Sequence, residues 1–393
     1  TTGNYNTSLG NESMMGTVTG SHNVVVGRDG LRAITSGGYN VALGNDTNRQ
    51  CTTGNNNIAI GHYSLFSNIE QNSNVAIGYY AGQASTTANH STLVGYQAGA
   101  SLTTGNHNTF MGHGAGDAAT TGYENVAIGS LCFSATGANP YGNIAIGYNA
   151  LTNITGADCV AIGKNAGSAI TSGAENVAIG ANALDACTTA GQSVAVGTSA
   201  LTSQTTGAYN TCVGHKAGEN ITTGEANVCV GFEAGKGQIT SQDGKLYLAR
   251  NDVAAGNAAT WIHGDTAGSC YQGDNQTSWS TTSDRRIKKN IVDNFKGLAE
   301  IDQLRVTNFE YRSREEIDMS EFPLADNPGQ VVLGEGNEGI HTGVIAQEIE
   351  SILPECIKVS ERGAKTVNTD PIMWALVNAV KELSAKVKAL ESA

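Results

Sequence analysis

Charge is what this chain has least of. Only 15% of its 393 residues are Asp, Glu, Lys or Arg, and prolines number five. Set beside 50 glycines, that scarcity of proline excludes both collagen and a proline-rich disordered chain. No basic stripe accompanies the net charge of −13, so nucleic acid is not an expected partner. No apolar run reaches 18 residues, so no membrane insertion is expected. Nothing at the start reads as a secretory leader, and the opening "TTGNYNTSLG" lies in the middle of a repeat. A further N-terminal part is therefore expected. The eight cysteines (51, 132, 159, 187, 212, 229, 270 and 356) form no CxxC pair and have no His-rich partner spacing. Neither a metal nor a cofactor is expected; single scattered cysteines read as small buried hydrophobes made in a reducing cell.

What the chain does have is a beat. A glycine closes a short apolar run at positions 10, 27, 44, 61, 78, 95, 112, 129, 147, 163, 180, 197, 214 and 231, a spacing of 17 with one 18 compensated by the next 16. The unit reads Asn, apolar, Ala, apolar, Gly, then polar residues and often Thr-Thr-Gly, as in "NVAIGYYAGQASTTA" from Asn74. Large and small residues alternate before the glycine, which is the period of a strand. A unit this short cannot bury its own apolar face, so neighbours must stack as a parallel solenoid. At about 4.8 Å per coil the rod would be roughly 65 Å long. Identical residues then form columns. An Asn column (23, 40, 57, 74, 108, 125, 143, 176, 210, 227) can hydrogen-bond along its length. An Ala column (42, 59, 76, 127, 145, 161, 178, 195), continued by Cys212 and Cys229, reads as a face on which a neighbouring protomer packs. The glycine after each strand supplies a backbone shape that a side chain would block.

The composition changes beyond this region. Residues 1–236 carry 6 Lys/Arg and 12 Asp/Glu, whereas 237–393 carry 16 and 23. Residues 237–282 read as a β-rich neck, with "KLYLAR" and "ATWIHGD" as strands and "GSCYQGDNQTSWSTT" as turns anchored by Trp279. Beyond it, Phe295, Leu298, Ile301 and Leu304 stand at helical spacing, and "VTNFEYR" alternates as a strand. Pro323 and Pro328 mark a loop from about 313 to 340. "TGVIAQEIESILPECI" reads as strand, helix and a stop at Pro354. A final helix over 370–391 starts with Asp370 as N-cap and Pro371 at the first helical position. Its Met373, Leu376, Val380, Leu383, Val387 and Leu390 form a heptad seam.

The repeats, with their "NVAIG" phrase, resemble the heads of trimeric autotransporter adhesins and the shafts of phage and algal-virus tail fibres. Both are homotrimers; the autotransporter version needs a C-terminal membrane-barrel anchor, and no such segment is read here. "SDRRIKKNI", "FEYR", "TGVIAQEIESILPECI" and "KTVNTDPIMWALVNAVKELSAKVKAL" together resemble the intramolecular chaperone auto-processing domain that ends phage endosialidases and related viral fibres. The resemblance covers about 110 residues and implies a domain that trimerises the fibre and then cuts itself off. The fold expected is mainly β: a homotrimeric parallel β-solenoid or β-roll rod (1–236), the neck (237–282), and a small α+β chaperone domain (283–393) ending in the long helix. The function expected is that of a viral tail fibre that attaches to a host receptor or glycan. It would be made in the host cytoplasm, carried on the virion, and joined to other tail proteins through its missing N-terminal part.

The same resemblance implies that Ser283 is the nucleophile, that Lys288 completes a Ser-Lys dyad, and that the bond cut is Thr282–Ser283. A serine hydroxyl needs a base within reach, and lysine serves only if neighbouring cations such as Arg285, Arg286 and Lys289 or burial lower its pKa. Without the surrounding motifs, the same residues read as a turn with a solvated basic face. Two rival functions remain from sequence. One is a polysaccharide depolymerase using pairs among Glu124, Glu175, Glu219, Glu225 and Glu233. The other is a cellular adhesin or filament with the same chaperone. His62, His90, His107, His113 and His215 sit at differing repeat phases and read as loop residues. An ice-binding Thr array is disfavoured, because adjacent threonines on a strand point to opposite faces.

Overall fold

A computed structural model describes residues 2–134, 140–237, 239–249, 260–264, 270–272, 289, 291–322, 339–359 and 364–392. The chain divides into two compact units, Thr1–Ser280 and Thr281–Ala393. Trp279, Pro323 and Pro328 fall outside the described residues.

The first unit is a solenoid of fourteen coils, each contributing one three-residue strand, from Thr7–Leu9 to Val228–Val230. Each strand pairs in parallel and in register with the same strand of the next coil, as Val75, Ala76 and Ile77 do with Thr92, Leu93 and Val94. The closing glycine is obligatory for this stacking. Gly112 has φ +144°, and a Cβ built on it would lie 2.1 Å from the Gly129 carbonyl oxygen one coil on.

A second ladder runs along the opposite wall. After the glycine the backbone alternates hand, with Tyr80 at φ 58° and Gly82 at φ 60°. Tyr80 N–H consequently donates back to the His62 carbonyl (3.0 Å), and Gly82 N–H donates forward to the Ala98 carbonyl (2.9 Å). Both walls of the coil are thereby hydrogen-bonded to both neighbours, leaving few backbone groups for water.

The Asn column forms as expected. Asn40 N–H and Nδ2 both donate to Asn23 Oδ1 at 3.0 Å, and Nδ2 also reaches the Gly54 carbonyl at 2.8 Å. Where Ser193 interrupts the column, Gln204 replaces the missing amide, donating to Ser193 Oγ (3.1 Å) and accepting from Asn210 Nδ2 (3.0 Å). The first threonine of four of the Thr-Thr-Gly triplets is also committed internally, as Thr205 Oγ1 donates to the Thr222 carbonyl at 3.1 Å.

The Ala column does not face a neighbouring protomer, and here the structure corrects the sequence reading. Ala42, Ala59, Ala76, Ala127, Ala145, Ala161, Ala178 and Ala195, with Cys212 and Cys229, are fully buried inside their own chain. The opposite wall supplies a second set of buried alanines, Ala81, Ala98 and Ala183 among them. The lumen of a coil this short has room for little more than methyl groups from each wall plus one or two larger side chains. Valine and isoleucine at the outer strand positions are therefore turned outward. Val24, Val26, Ile58, Ile77, Ile128, Ile162, Ile179, Val228 and Val230 are exposed large hydrophobics.

The ladder continues past the last repeat. Leu246–Ala249 pairs in parallel with Val228–Val230, and Thr260–Gly264 then pairs antiparallel with it. Cys270–Gln272, expected as turn, is a third strand of this neck, antiparallel to Thr260–Gly264.

In the second unit, helix α1 (Leu298–Ile301) is followed by an antiparallel pair, Thr307–Phe309 with His341–Gly343. Helix α2 (Ala346–Glu350) precedes a second antiparallel pair, Ile357–Val359 with Lys365–Val367, and helix α3 spans Asp370–Glu391. A small core of Ile349, Leu353 and Cys356 holds these elements, with Leu304, Val344, Ile352, Ile357, Val367 and Ile372 packed on it. The start of α3 lies one residue earlier than expected. Thr369 is the N-cap with no side-chain cap hydrogen bond, and the Asp370 N–H is taken instead by Asn368 Oδ1 at 3.2 Å.

Candidate functional site

Thr282, Ser283, Lys288, Arg285 and Arg286 lie outside the described residues, and Lys289 is exposed. What the described residues display is the platform that follows them in the chain. Helix α3 docks on its own unit through one stripe. Ala375 and Ala379 are buried, and Asn378 Nδ2 donates to the Asn294 and Lys296 carbonyls, both at 2.9 Å. Arg305 grips Glu348 through Nε (3.1 Å) and Nη2, and Lys365 pairs with Glu350. The free thiol of Cys356 belongs to the core, and burial pushes its pKa up, away from the thiolate form.

The other stripe of α3 is the heptad seam, and none of it touches its own unit's core. Met373, Leu376, Val380, Leu383, Val387 and Leu390 are between 46% and 78% exposed. Trp374 and Val377 extend this apolar face, and Phe295 is also exposed. So much apolar surface on a single helix marks an interaction site.

Three of the five shaft carboxylates singled out from sequence are tied to neighbouring side chains. Glu219 and Glu233 are held by lysines: Lys236 Nζ lies 2.9 Å from Glu219 and 3.0 Å from Glu233, and Lys216 lies 3.4 Å from Glu219. Burial alone would raise the Glu219 pKa, but Lys236 and Lys216 outweigh it and hold the carboxyl below its usual value. A general acid needs the opposite shift. Glu175 accepts from Gln192 Nε2 at 2.9 Å, again as a coil-to-coil rung.

The histidines prove to be organised rather than scattered. His62, Tyr79, Tyr96 and His113 each follow a closing glycine, and their rings stack in a column at 5.2–5.5 Å. His215 and Phe232 occupy the same phase and stack at 5.2 Å. A second column, before the Asn, stacks Tyr5, His22 and Tyr39, and further on His90 and His107. Aligning the sequence on its glycines, rather than reading the histidines alone, reveals both columns. Stacked rings occupy each other's faces and present edges and hydroxyls outward.

Among the described residues no cluster of His, Cys, Asp or Glu could hold a metal ion, and no helix is long and apolar enough to cross a membrane. No curated protein and no solved structure is significantly similar to the chain. Residues 283–358 match the family model described as chaperone of endosialidase. The chain thus joins a seventeen-residue-repeat β-solenoid to a chaperone-of-endosialidase domain.

Proposed function

We propose that this is a homotrimeric phage-type tail-fibre protein whose C-terminal domain assembles the shaft and then severs itself at Thr282–Ser283. The observation that carries the reading is that the chaperone match begins at Ser283, the residue with which the released piece would start. Two unpartnered apolar faces support a trimer. One is the α3 seam; the other is the outward Val/Ile columns that run the length of the solenoid. Three copies of each can bury one another, as a single chain cannot.

In the cleavage, Lys288 as a neutral amine takes the Ser283 hydroxyl proton while Oγ attacks the Thr282 carbonyl carbon. The Thr282–Ser283 amide bond breaks, its nitrogen leaves protonated, and water hydrolyses the resulting ester. The reaction runs once per chain. The mature shaft is carried on the virion and attaches to a host surface receptor or glycan.

The test is the intact mass of freshly purified protein beside a Ser283→Ala variant. Fragments ending at Thr282 and starting at Ser283, in the parent only, are expected. A parent that stays at 40.5 kDa through prolonged incubation would reduce the domain to a trimerising cap.

A further inference from the structure

Among the described residues, one coil has no threonine at all where the others carry Thr-Thr-Gly or a close variant of it. After the closing glycine Gly61, the positions that hold Thr52-Thr53-Gly54 in the coil before and Thr103-Thr104-Gly105 two coils on are occupied by Ile69, Glu70 and Gln71. The change opens the edge of the solenoid. In regular coils the first residue donates its N–H to the next coil's threonine carbonyl, as Thr86 does to Thr103 at 3.0 Å. The Ile69 N–H instead turns to Gln71 Oε1 within its own coil, at 3.0 Å. The same internal closure is used by Thr240 and Gln242 (2.7 Å) in the last of the seventeen-residue repeats. A mid-shaft coil is thus closed in the way the last repeat is.

The gap is a groove of about 470 Å³ lined by Ile69, Glu70, Gln71, Asn72, Thr86, Thr87 and Asn89. That volume falls within the range of small-molecule sites. Gln71 is buried, yet its Nε2 has no hydrogen-bond partner. The Thr86 carbonyl receives no backbone donor from the coil before it. The rim is fixed by Asn72 Nδ2 on the Glu70 carbonyl (3.2 Å) and Asn89 Nδ2 on the Thr87 carbonyl (2.9 Å), and an Asn72–Asn89 rung closes one side at 2.7 Å. Ile69, exposed, forms an apolar wall.

We propose that this groove is a saccharide subsite that takes one unit of a neutral glycan. An unpaired amide donor, an open carbonyl, a carboxylate and a threonine hydroxyl beside one aliphatic wall match a ring with alternating hydroxyls and a C–H face. The proposal rests on reading the shaft as a host-attachment fibre.

The test uses the full chain and a variant carrying Ile69→Thr, Glu70→Thr and Gln71→Gly together. This variant restores the regular edge and should fold at least as well. Neutral hexoses and N-acetylhexosamines, as single units and short oligomers, are screened by saturation-transfer NMR. The expected result is binding of at least one probe by the parent, weakened tenfold or more in the variant, with an unchanged or raised melting temperature. Absence of binding by every probe, or binding that survives the triple change, overturns the subsite. Fibre attachment to host cells that is indifferent to the triple change also overturns it, while leaving the attachment function itself standing.

Discussion

The coils follow a volume rule that can be tested at one pair, Phe110 and Gly116. Five of the fourteen coils place Ala in the strand and a large residue on the opposite wall: Ala59 with Leu65, Ala127 with Phe133, Ala145 with Leu151, Ala178 with Leu184 and Ala195 with Leu201. The Gly112 coil reverses the order, with Phe110 in the strand and Gly116 opposite. A Cβ on Gly116 would stand 2.5 Å from both Cδ2 and Cε2 of the Phe110 ring. Gly116→Leu therefore overpacks, costing about 1–3 kcal/mol. Its φ of +62° adds about 1–2 kcal/mol for any residue with a Cβ. Phe110→Ala empties a fully buried site beside Phe133, 5.8 Å away between ring centroids, and costs about 3–5 kcal/mol. Together the two changes recreate the arrangement of those five coils, because the leucine enters the vacated space. The double variant should then be more stable than the sum of the singles by about 1–3 kcal/mol. The assay is hydrogen exchange of amides in the 109–116 coil, such as Gly116 N–H, bonded to the Cys132 carbonyl at 2.9 Å. Each 1.4 kcal/mol is about a tenfold change in protection, and a local readout avoids assuming that a repeat array unfolds in one step. Strict additivity of the two changes would refute the rule.

Other consequences are as direct. Asn40→Leu strips partners from the Gly54 carbonyl and the Asn57 N–H, which it engages at 2.8 and 2.9 Å. It should cost about 2–6 kcal/mol, since each of the two orphaned buried groups costs about 1–3 kcal/mol, read as lost exchange protection in the coils on either side. Leu383→Asp, on the α3 seam, should disperse the assembly in size-exclusion chromatography, whereas Lys381→Glu should not. The Glu219 carboxyl is held below its usual value, so its contribution is complete above the unfolded pKa of about 4.5 and is lost as pH falls through the lower folded value. Melting temperature should fall in that acid window, and less so in Lys236→Met; an identical acid profile in the variant would contradict the ion-pair assignment.

The repeat register, the strands and the Asn column were legible because each follows from period and residue type alone. Two features were not. The second ladder rests on left-handed backbone at residues such as Tyr80 and Leu65, φ 58° and 48°, and side chains of this kind give no local signal for that conformation. The direction of the strands was also misjudged. Alternation says that Ala76 lies opposite Val75 and Ile77, but not which side is the lumen; that is decided by the small cross-section of the coil, a property of the closed loop. In the C-terminal unit the long helix was legible from spacing, and the exposure of its heptad positions in the single chain is what the sequence could not show. The Ser283–Lys288 assignment rests on motif order and remains a proposal.

The central claim is that the outward Val/Ile columns and the α3 seam are buried by two further copies of the same chain. Light-scattering mass of the Ser283→Ala chain, eluted from a sizing column, tests it most directly. Three times the 40.5 kDa chain mass is the expected value; a stable, soluble species of one chain mass would contradict it.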